Sequence, residues 1–281
     1  MYKIVNKRPL NAFVSLMEIE APLIAAKGKA GQFIILRVNE TGERIPLTLA
    51  DEDPERGTIT IMYQKVGKTT DLLDTLNVGD SLLDVVGPLG RATELEGYCK
   101  VAVIGGGVGC AIAYPEAKAL HRLGAHVDMI AGFRSKDIIM LEQELGAVST
   151  RLFVMTDDGS NGNKGFVTAK LQELLDAGEQ YDMVIAIGPL PMMRAVAEVT
   201  RPYGIKTIVS MNPIMIDGTG MCGGCRLTVG GKVKFACVDG PDFDGHEVDF
   251  DEAMDRGTMY RDFERHSYEE TCNLLNKSVE A

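Results

Sequence analysis

Positive charge is scarce in this sequence: 29 Lys and Arg stand against 40 Asp and Glu over 281 residues, a formal net charge of −11. With a pI near 4.9, the chain has no basic footprint for counterion release from a phosphate backbone. This argues against nucleic acid as a partner but leaves small anions held by local donors open. Long apolar runs are also missing. The longest uncharged stretch, Val101 to Pro115, is interrupted by four glycines and falls short of the roughly 18–20 residues a membrane helix needs. The opening MYKIVNKRPL lacks a positively charged start followed by an apolar core, so no secretory signal is expected and the cytoplasm is the expected location. Gly (31) and Pro (11) together stay below the roughly 25–30% that marks low-complexity disorder, and no collagen-like Gly-X-Y period is present. The four histidines show no spacing that suggests acid–base chemistry. The six cysteines do not read as a disulfide scaffold. Cys222, Cys225 and Cys237 crowd together and favour metal or redox chemistry, whereas Cys99, Cys110 and Cys272 are scattered and read as spectator thiols.

What is present suggests two domains followed by a loop and a tail. Over residues 1–97, short runs rich in β-formers (Tyr2 to Val5, Ala12 to Met17, Gln32 to Val38, Thr58 to Gln64, Ser81 to Val86) alternate with Gly, Asn, Asp and Pro, which predicts an antiparallel β-barrel. From 98 to 211 the pattern becomes apolar strand, turn, amphipathic helix. Strands are expected at Val101 to Ile104, Val127 to Ala131, Leu152 to Thr156, Met183 to Ile187 and Thr207 to Met211. Helices are expected at Ala111 to Leu123, Asp137 to Leu145, Val167 to Ala177 and Pro191 to Tyr203. Such alternation predicts a five-stranded parallel sheet covered by helices on both faces, with ligands beyond the carboxyl ends of the strands. Pro115 is expected near the start of its helix. Residues 212–245 show neither period and read as a loop organised by something other than a core. Residues 246–281 form an acidic tail, either a solvated, partly helical segment or a docking element.

The sharpest chemical signal is D-G-T-G-M-C-G-G-C, which supplies Asp217, Cys222 and Cys225, followed by Cys237 after eleven intervening residues. Thiolates are soft ligands, and a C-x-x-C pair on a glycine-rich turn lets two sulfurs converge on iron or zinc while backbone amides face them. Three cysteines leave a four-ligand site one donor short, and Asp217 stands where an oxygen can complete it. Structural zinc and a redox-active dithiol at Cys222 and Cys225 are the competing readings.

A second signal, Gly105-Gly106-Gly107-Val108-Gly109, lies between the first parallel strand and its helix, where amides and the helix dipole can hold a pyrophosphate. It is not the full dinucleotide fingerprint: Cys110 takes the third glycine's place, and the second strand ends in Phe133-Arg134 with no acidic residue. Asp157 and Asp158 after the third strand can meet ribose hydroxyls or cap a turn, and Gly188-Pro189 follows the fourth. In the barrel, Arg44, Pro46, Leu47 and Thr48, then Gln64, Lys65 and Val66, and finally Thr69 and Thr70, mark a third set. Taken alone, Arg44 can be a surface charge, and the threonines can cap a short helix.

In combination, R-x-P-L-T, V-G-K-T-T, G-G-G-V-G and the cysteine loop resemble the ferredoxin-NADP reductase superfamily, within it the branch of dihydroorotate dehydrogenase electron-transfer subunits, over about residues 1–240. The resemblance implies FAD in the barrel, NAD(H) on the sheet and a 2Fe-2S cluster in the loop. By it, Arg44 meets the flavin diphosphate, Pro46, Leu47 and Thr48 line the isoalloxazine, Gln64, Lys65 and Val66 support its other edge, and Thr69 and Thr70 bond phosphate. Arg134 leaves a 2′-phosphate possible. That branch uses four cysteines around its cluster. Asp217 in place of the first, together with the long acidic tail, is more similar to the small subunit of NADH-dependent ferredoxin-NADP oxidoreductase and to the sulfide dehydrogenase subunit.

The implied activity is hydride exchange with NAD(H) and one-electron exchange with a larger flavin/iron–sulfur partner subunit. In that analogue the larger subunit carries an electron-bifurcating flavin and the sites for ferredoxin and NADP(H). Dihydroorotate oxidation is the runner-up, and an NAD(H)-binding sensor with structural zinc is the reading of a different class.

Overall fold

Short β-branched runs near the N-terminus pair as antiparallel strands, because alternate side chains can be buried on one face of a pleat. The computed structural model describes residues 1–269, so Cys272 and the rest of the tail beyond 269 lie outside the described residues. The first elements are β1 (Tyr2–Pro9), β2 (Val14–Glu20), α1 (Pro22–Ala25), β3 (Phe33–Arg37), β4 (Arg44–Thr48), β5 (Asp51–Asp53), β6 (Thr58–Gln64), α2 (Lys68–Thr75), β7 (Ser81–Leu82) and β8 (Asp84–Leu89). The segment expected to be an antiparallel β-barrel makes two antiparallel sheets, β5-β6-β2-β1-β7 and β4-β3-β8. The chain changes sheet three times, once through α1 between β2 and β3 and twice at tight corners. Leu49 N–H bonds the Gln32 carbonyl beside β3 (3.0 Å), while Ala50 N–H bonds the Thr60 carbonyl on β6 (2.9 Å). After β7, Leu83 N–H turns to the Arg37 carbonyl (3.1 Å). Bends of this kind let two crossed sheets share one core, here Ile4, Met17, Ile34, Leu36, Ile59 and Ile61. The acidic triplet of β5 read as turn punctuation, but its pairing with Thr58 to Thr60 makes it a strand.

The α/β pattern folds largely as predicted: β9 (Lys100–Gly106), α3 (Gly109–Arg122), β10 (His126–Phe133), α4 (Glu142–Ala147), β11 (Arg151–Thr156), α5 (Val167–Asp176), β12 (Met183–Ile187), α6 (Leu190–Thr200) and β13 (Lys206–Ser210). The order β11-β10-β9-β12-β13 is parallel throughout. Helices bury opposite faces: Ile104, Ile130, Leu171 and Val184 lie in one core, and Val103, Leu120, Met129 and Ile185 in the other. Chain direction across the sheet reverses between β9 and β12, which places the ligand crevice at their carboxyl ends. Two expectations need correction. Pro115 lies inside α3, not near its start, and it forgoes one backbone bond there. The helix expected over Asp137 to Leu145 is split into a 3₁₀ turn, Lys136–Ile138, and α4, separated by Leu141 at φ 59°.

The chain then forms β14 (Arg226–Val229), β15 (Lys232–Phe235), α7 (Ala236–Asp239), β16 (Asp242–Asp244) and α8 (Phe250–Arg256). β16 adds a sixth, antiparallel strand beside β13, so the sheet is not purely parallel.

A buried polar knot joins these parts. Thr93 Oγ1, on the connection to the α/β unit, lies 3.0 Å from Glu116 Oε1 on α3 and 2.5 Å from Asp242 Oδ2 on β16. A hydroxyl has one proton to donate, so a second must come from a carboxyl group. Burial, followed by the charge of Asp242, raises the Glu116 pKa well above its ordinary value, and burial raises that of Asp242 too, so the pair favours holding a proton between them.

Candidate cofactor site

Residues 212–245, expected to be an irregular loop, contain a hairpin. Gly230 and Gly231, at φ 57° and 70°, make the two-residue turn that joins β14 to β15. The signal was present in the sequence as Gly-Gly between two short β-forming runs. The pairing Arg226↔Phe235 brings the flanking residues together: Ala236 N–H bonds the Cys225 carbonyl (3.1 Å), and Cys237 N–H points at Cys225 Sγ (3.5 Å). The hairpin thus explains why two cysteines distant in sequence become neighbours.

Asp217 is drawn to Cys222 in a similar way. Its Oδ2 accepts the Cys222 N–H (2.6 Å), and its Oδ1 accepts from the Thr219 N–H and from Thr219 Oγ1 (3.0 Å). These donors, the Thr219 amide foremost, hold its pKa far below the usual carboxylate range against a smaller opposing effect of burial. Cys225 and Cys237 are buried while Cys222 is exposed. Burial, then the Cys225 thiol, pushes the Cys237 pKa up to about 12, and the charge of Asp217 adds to the effect. Among the described residues no three His, Cys, Asp or Glu side chains form a ready-made metal cage. The donors stand as two neighbouring pairs on one loop. Three soft sulfurs and one hard oxygen, on a backbone kept free of side chains by Gly218, Gly220, Gly223 and Gly224, suit iron with sulfide. Cys110, by contrast, is fully buried with its pKa raised to about 12 by desolvation and is chemically inert, and Cys99 is exposed.

The R-x-P-L-T string lies on β4, whose register with β3 pairs Arg44 with Arg37, Pro46 with Ile35 and Thr48 with Phe33. Strand alternation puts these three on one face, while Ile45 and Leu47 pack on the β core. The Leu47 side chain is therefore turned away from its three neighbours. The cluster loop covers their face: a Cβ on Gly218, which has φ 80°, would sit 2.6 Å from Leu89 Cδ1 and 2.9 Å from Ile35 Cδ1. Arg44 Nε donates to the Ile216 carbonyl (2.7 Å).

Gln64 ends β6, Lys65 reaches Asp74 (3.3 Å), and Val66 is 71% exposed. Thr69 is buried and donates to Glu43 (2.8 Å). Thr70 Oγ1 accepts the Val66 and Gly67 N–H groups (3.0 and 3.1 Å) and donates to the Gly67 carbonyl (3.0 Å). It caps α2, which is the second of the two roles its sequence allowed.

At the carboxyl edge of the sheet, Gly105, Gly106, Gly107, Val108 and Gly109 meet Gly188 and Pro189. A Cβ on Gly109 would fall 2.2 Å from the Ile187 carbonyl oxygen, and one on Gly106 would fall 3.2 Å from Pro189 Cδ. The glycines themselves bring no side chain to this edge, but the Met192 thioether packs against Gly106 and Gly188 there, beside the amides at the start of α3. Arg134, Asp157 and Asp158 come together at the adjacent ends of β10 and β11: Asp157 N–H bonds the Phe133 carbonyl (3.0 Å), and Asp158 N–H bonds the Arg134 carbonyl (3.3 Å). Asp158 Oδ1 accepts the Ser160 N–H (2.9 Å) as a turn cap, and the Ser160 hydroxyl, followed by that N–H, lowers its pKa. Asp157 is exposed at the same edge.

A β unit and a nucleotide-type sheet bridged by a cysteine–aspartate loop define a ferredoxin-reductase-like electron-transfer protein with an appended iron–sulfur module. Residues 212–249 match the iron–sulfur cluster binding domain of dihydroorotate dehydrogenase B. The chain is 51% identical over 269 residues to an uncharacterized protein of Clostridium beijerinckii, covering 93% of this chain and 91% of that one. It is 46% identical over 276 residues to a dihydroorotate dehydrogenase B (NAD(+)) electron transfer subunit homolog of Thermotoga maritima, covering 98% and 97%. A chain in a structure of NADH-dependent reduced ferredoxin-NADP oxidoreductase, studied for flavin-based electron bifurcation, superposes with a TM-score of 0.92 at 44% identity, covering 97% and 98%. The chain belongs to the family of dihydroorotate dehydrogenase B electron-transfer subunits and their homologues. Its cofactor set is a 2Fe-2S cluster with FAD and NAD(H), in keeping with this fold and module. Among the described residues no helix is long and apolar enough to cross a membrane.

Proposed function

We propose that this chain exchanges hydride with NAD(H) and passes single electrons to or from a larger flavin/iron–sulfur subunit, in a complex of the NADH-dependent ferredoxin-NADP oxidoreductase type. The observation that carries the reading is the seat of the cluster loop on the Arg44, Pro46 and Thr48 face, where the two expected redox groups would lie side by side. Flavin, when bound, converts the two-electron chemistry of nicotinamide into the one-electron steps a cluster accepts, and the protein supplies position and tuning.

Arg44 would hold the flavin diphosphate, with Pro46 and Thr48 facing the ring and Leu47 contributing backbone only. Gln64, Lys65 and Val66 would border the opposite edge, and Thr69 would reach phosphate if released from Glu43. The amides of Gly105 to Gly109, with Gly188 and Pro189 opposite, would receive the nucleotide pyrophosphate, and Arg134 and Asp157 would flank the ribose. Asp217, Cys222, Cys225 and Cys237 would hold the cluster, the aspartate matching the charge of a thiolate while favouring the ferric state. Ferredoxin and NADP(H) would meet the larger subunit.

Anaerobically reconstituted protein should show flavin and cluster absorption bands, both bleached by NADH. Asp217→Cys should change the cluster spectrum and potential, and an unchanged spectrum refutes ligation by Asp217. A colourless, zinc-containing protein would support the sensor reading instead. The name of the Thermotoga maritima relative favours a second reading, the electron-transfer subunit of a dihydroorotate dehydrogenase. Anaerobic purification from the native organism decides between them by identifying the copurifying subunit.

A further inference from the structure

Two arginines of the β unit reach the cluster loop at its two ends. Arg44 Nε donates to the Ile216 carbonyl (2.7 Å), in the peptide group just before Asp217. Arg91 Nε donates to the Val238 carbonyl (3.1 Å), just after Cys237, and its guanidinium lies 3.8 Å from Asp239 Oδ1. The Arg91 backbone N–H bonds the Gly240 carbonyl (2.7 Å), so the strut is fixed at its base as well. The arginines therefore grip the carbonyls adjoining the first and last of the four candidate ligands. They stand on opposite flanks of one small sheet: Arg44 opens β4, Arg91 follows β8, and β3 lies between those strands. In the middle, Gly218 rests on Ile35 and Leu89. Hydrogen bonds from an ionised donor are stronger than neutral ones, and a guanidinium has five N–H donors in a fixed fork.

We propose that Arg44 and Arg91 are positioning residues that clamp the cluster loop to the flavin face. Arg91 acts as a permanent strut, and Arg44 acts as a link whose remaining N–H groups meet the flavin diphosphate. The inference rests on the cofactor reading above. Flavin binding orders Arg44, and with it the Ile216 peptide and Asp217, so flavin occupancy stabilises the cluster. By linkage, cluster occupancy strengthens flavin binding by the same factor.

The test uses the full chain, reconstituted anaerobically with iron, sulfide and FAD, as wild type, Arg91→Gln, Arg91→Lys and Arg44→Gln. FAD and iron contents, the EPR spectrum of the reduced cluster and the rate of iron transfer to a chelator are measured with and without flavin. Wild type should release iron several-fold more slowly with FAD than without. Arg91→Gln should retain full FAD yet release iron roughly fivefold faster with an altered EPR signal, and Arg91→Lys should restore part of the loss. Arg44→Gln should erase the flavin dependence. If it binds no FAD, its release should still be faster than that of flavin-stripped wild type. Release rates and EPR spectra unchanged in Arg91→Gln, or equal rates in the two flavin-free proteins, overturn the clamp. Wild type that takes up neither iron nor sulfide overturns the cofactor reading itself, and the clamp with it.

Discussion

The nucleotide edge of the sheet and the cluster loop are both rich in glycine, yet glycine serves opposite ends in them. At the edge, Gly109 is needed because backbone from β12 already fills the space a side chain would take. That edge is backed by two apolar cores in which Val101, Ala102, Val103 and Ile104 are all fully buried. In the loop, Gly218 is needed for its positive φ as well as for contact with Ile35 and Leu89. The hairpin end of the loop packs Cys225, Leu227, Ala236 and Cys237 into the same core as Ile104 and Leu171, while the Asp217 end is held by polar contacts, Asp217 on two amides and Arg44 on the Ile216 carbonyl. The nucleotide edge owes its shape to packing alone, whereas the Asp217 end of the loop adds hydrogen bonds and, in the proposed function, a metal. Perturbing the donors of the loop should therefore leave the sheet largely intact.

The largest expected effect is on the loop. Cys225→Ser should abolish iron and sulfide retention while leaving far-UV circular dichroism and the main unfolding transition in place. Parallel loss of secondary structure would break the comparison. Next is the sheet core: Leu171→Ala, at a fully buried site on α5, should cost about 2–5 kcal/mol in urea unfolding with the iron content of folded protein unchanged. Gly109→Val should cost about 1–3 kcal/mol through overpacking and should raise the Kd for NADH, measured by fluorescence titration, more than it alters the cluster spectrum.

The smallest effect is at the knot where the two regions meet. Burial raises the Glu116 pKa, so its contribution to stability is complete below the unfolded carboxyl pKa of about 4.5 and is lost as pH rises through the folded value. Asp242 faces it with a pKa raised by the same desolvation, and the hydroxyls of Thr93 and Ser210 oppose that shift. Glu116→Gln, which donates without ionising, should match wild type near pH 5 and exceed it increasingly toward pH 9 in urea unfolding. Parallel stability profiles would show that Glu116 carries no proton.

The sequence was most legible where one residue's burial repeats along an element. Thr58–Gln64 and Met183–Ile187 have the predicted bounds, because local alternation or continuous apolarity states which faces are covered. It was least legible where a strand exists only through its partner. The acidic triplet Asp51–Asp53 and the short Asp242-Phe243-Asp244 segment are strands because β6 and β13 offer them free edges. The β14–β15 hairpin carried a Gly-Gly turn signal that the surrounding cysteines and glycines obscured. In the candidate site, the four expected cluster donors could be named from residue type and spacing. Arg91 could not, because an isolated arginine after a strand has no local pattern to mark it.

The sequence by itself determined the chemistry on offer: soft sulfurs with one carboxylate on a glycine-rich turn, a glycine turn after the first parallel strand, and the alternation that sorts β4 into two faces. Those properties belong to residue types and short-range periodicity. Tertiary structure alone decided that the loop lies on the Arg44 face, that Cys225 meets Cys237 across a hairpin, and that Glu116 and Asp242 share a buried hydroxyl. Each of these depends on the approach of segments far apart in the chain, which is set by the packing of sheets and by the corners at which strands change partners.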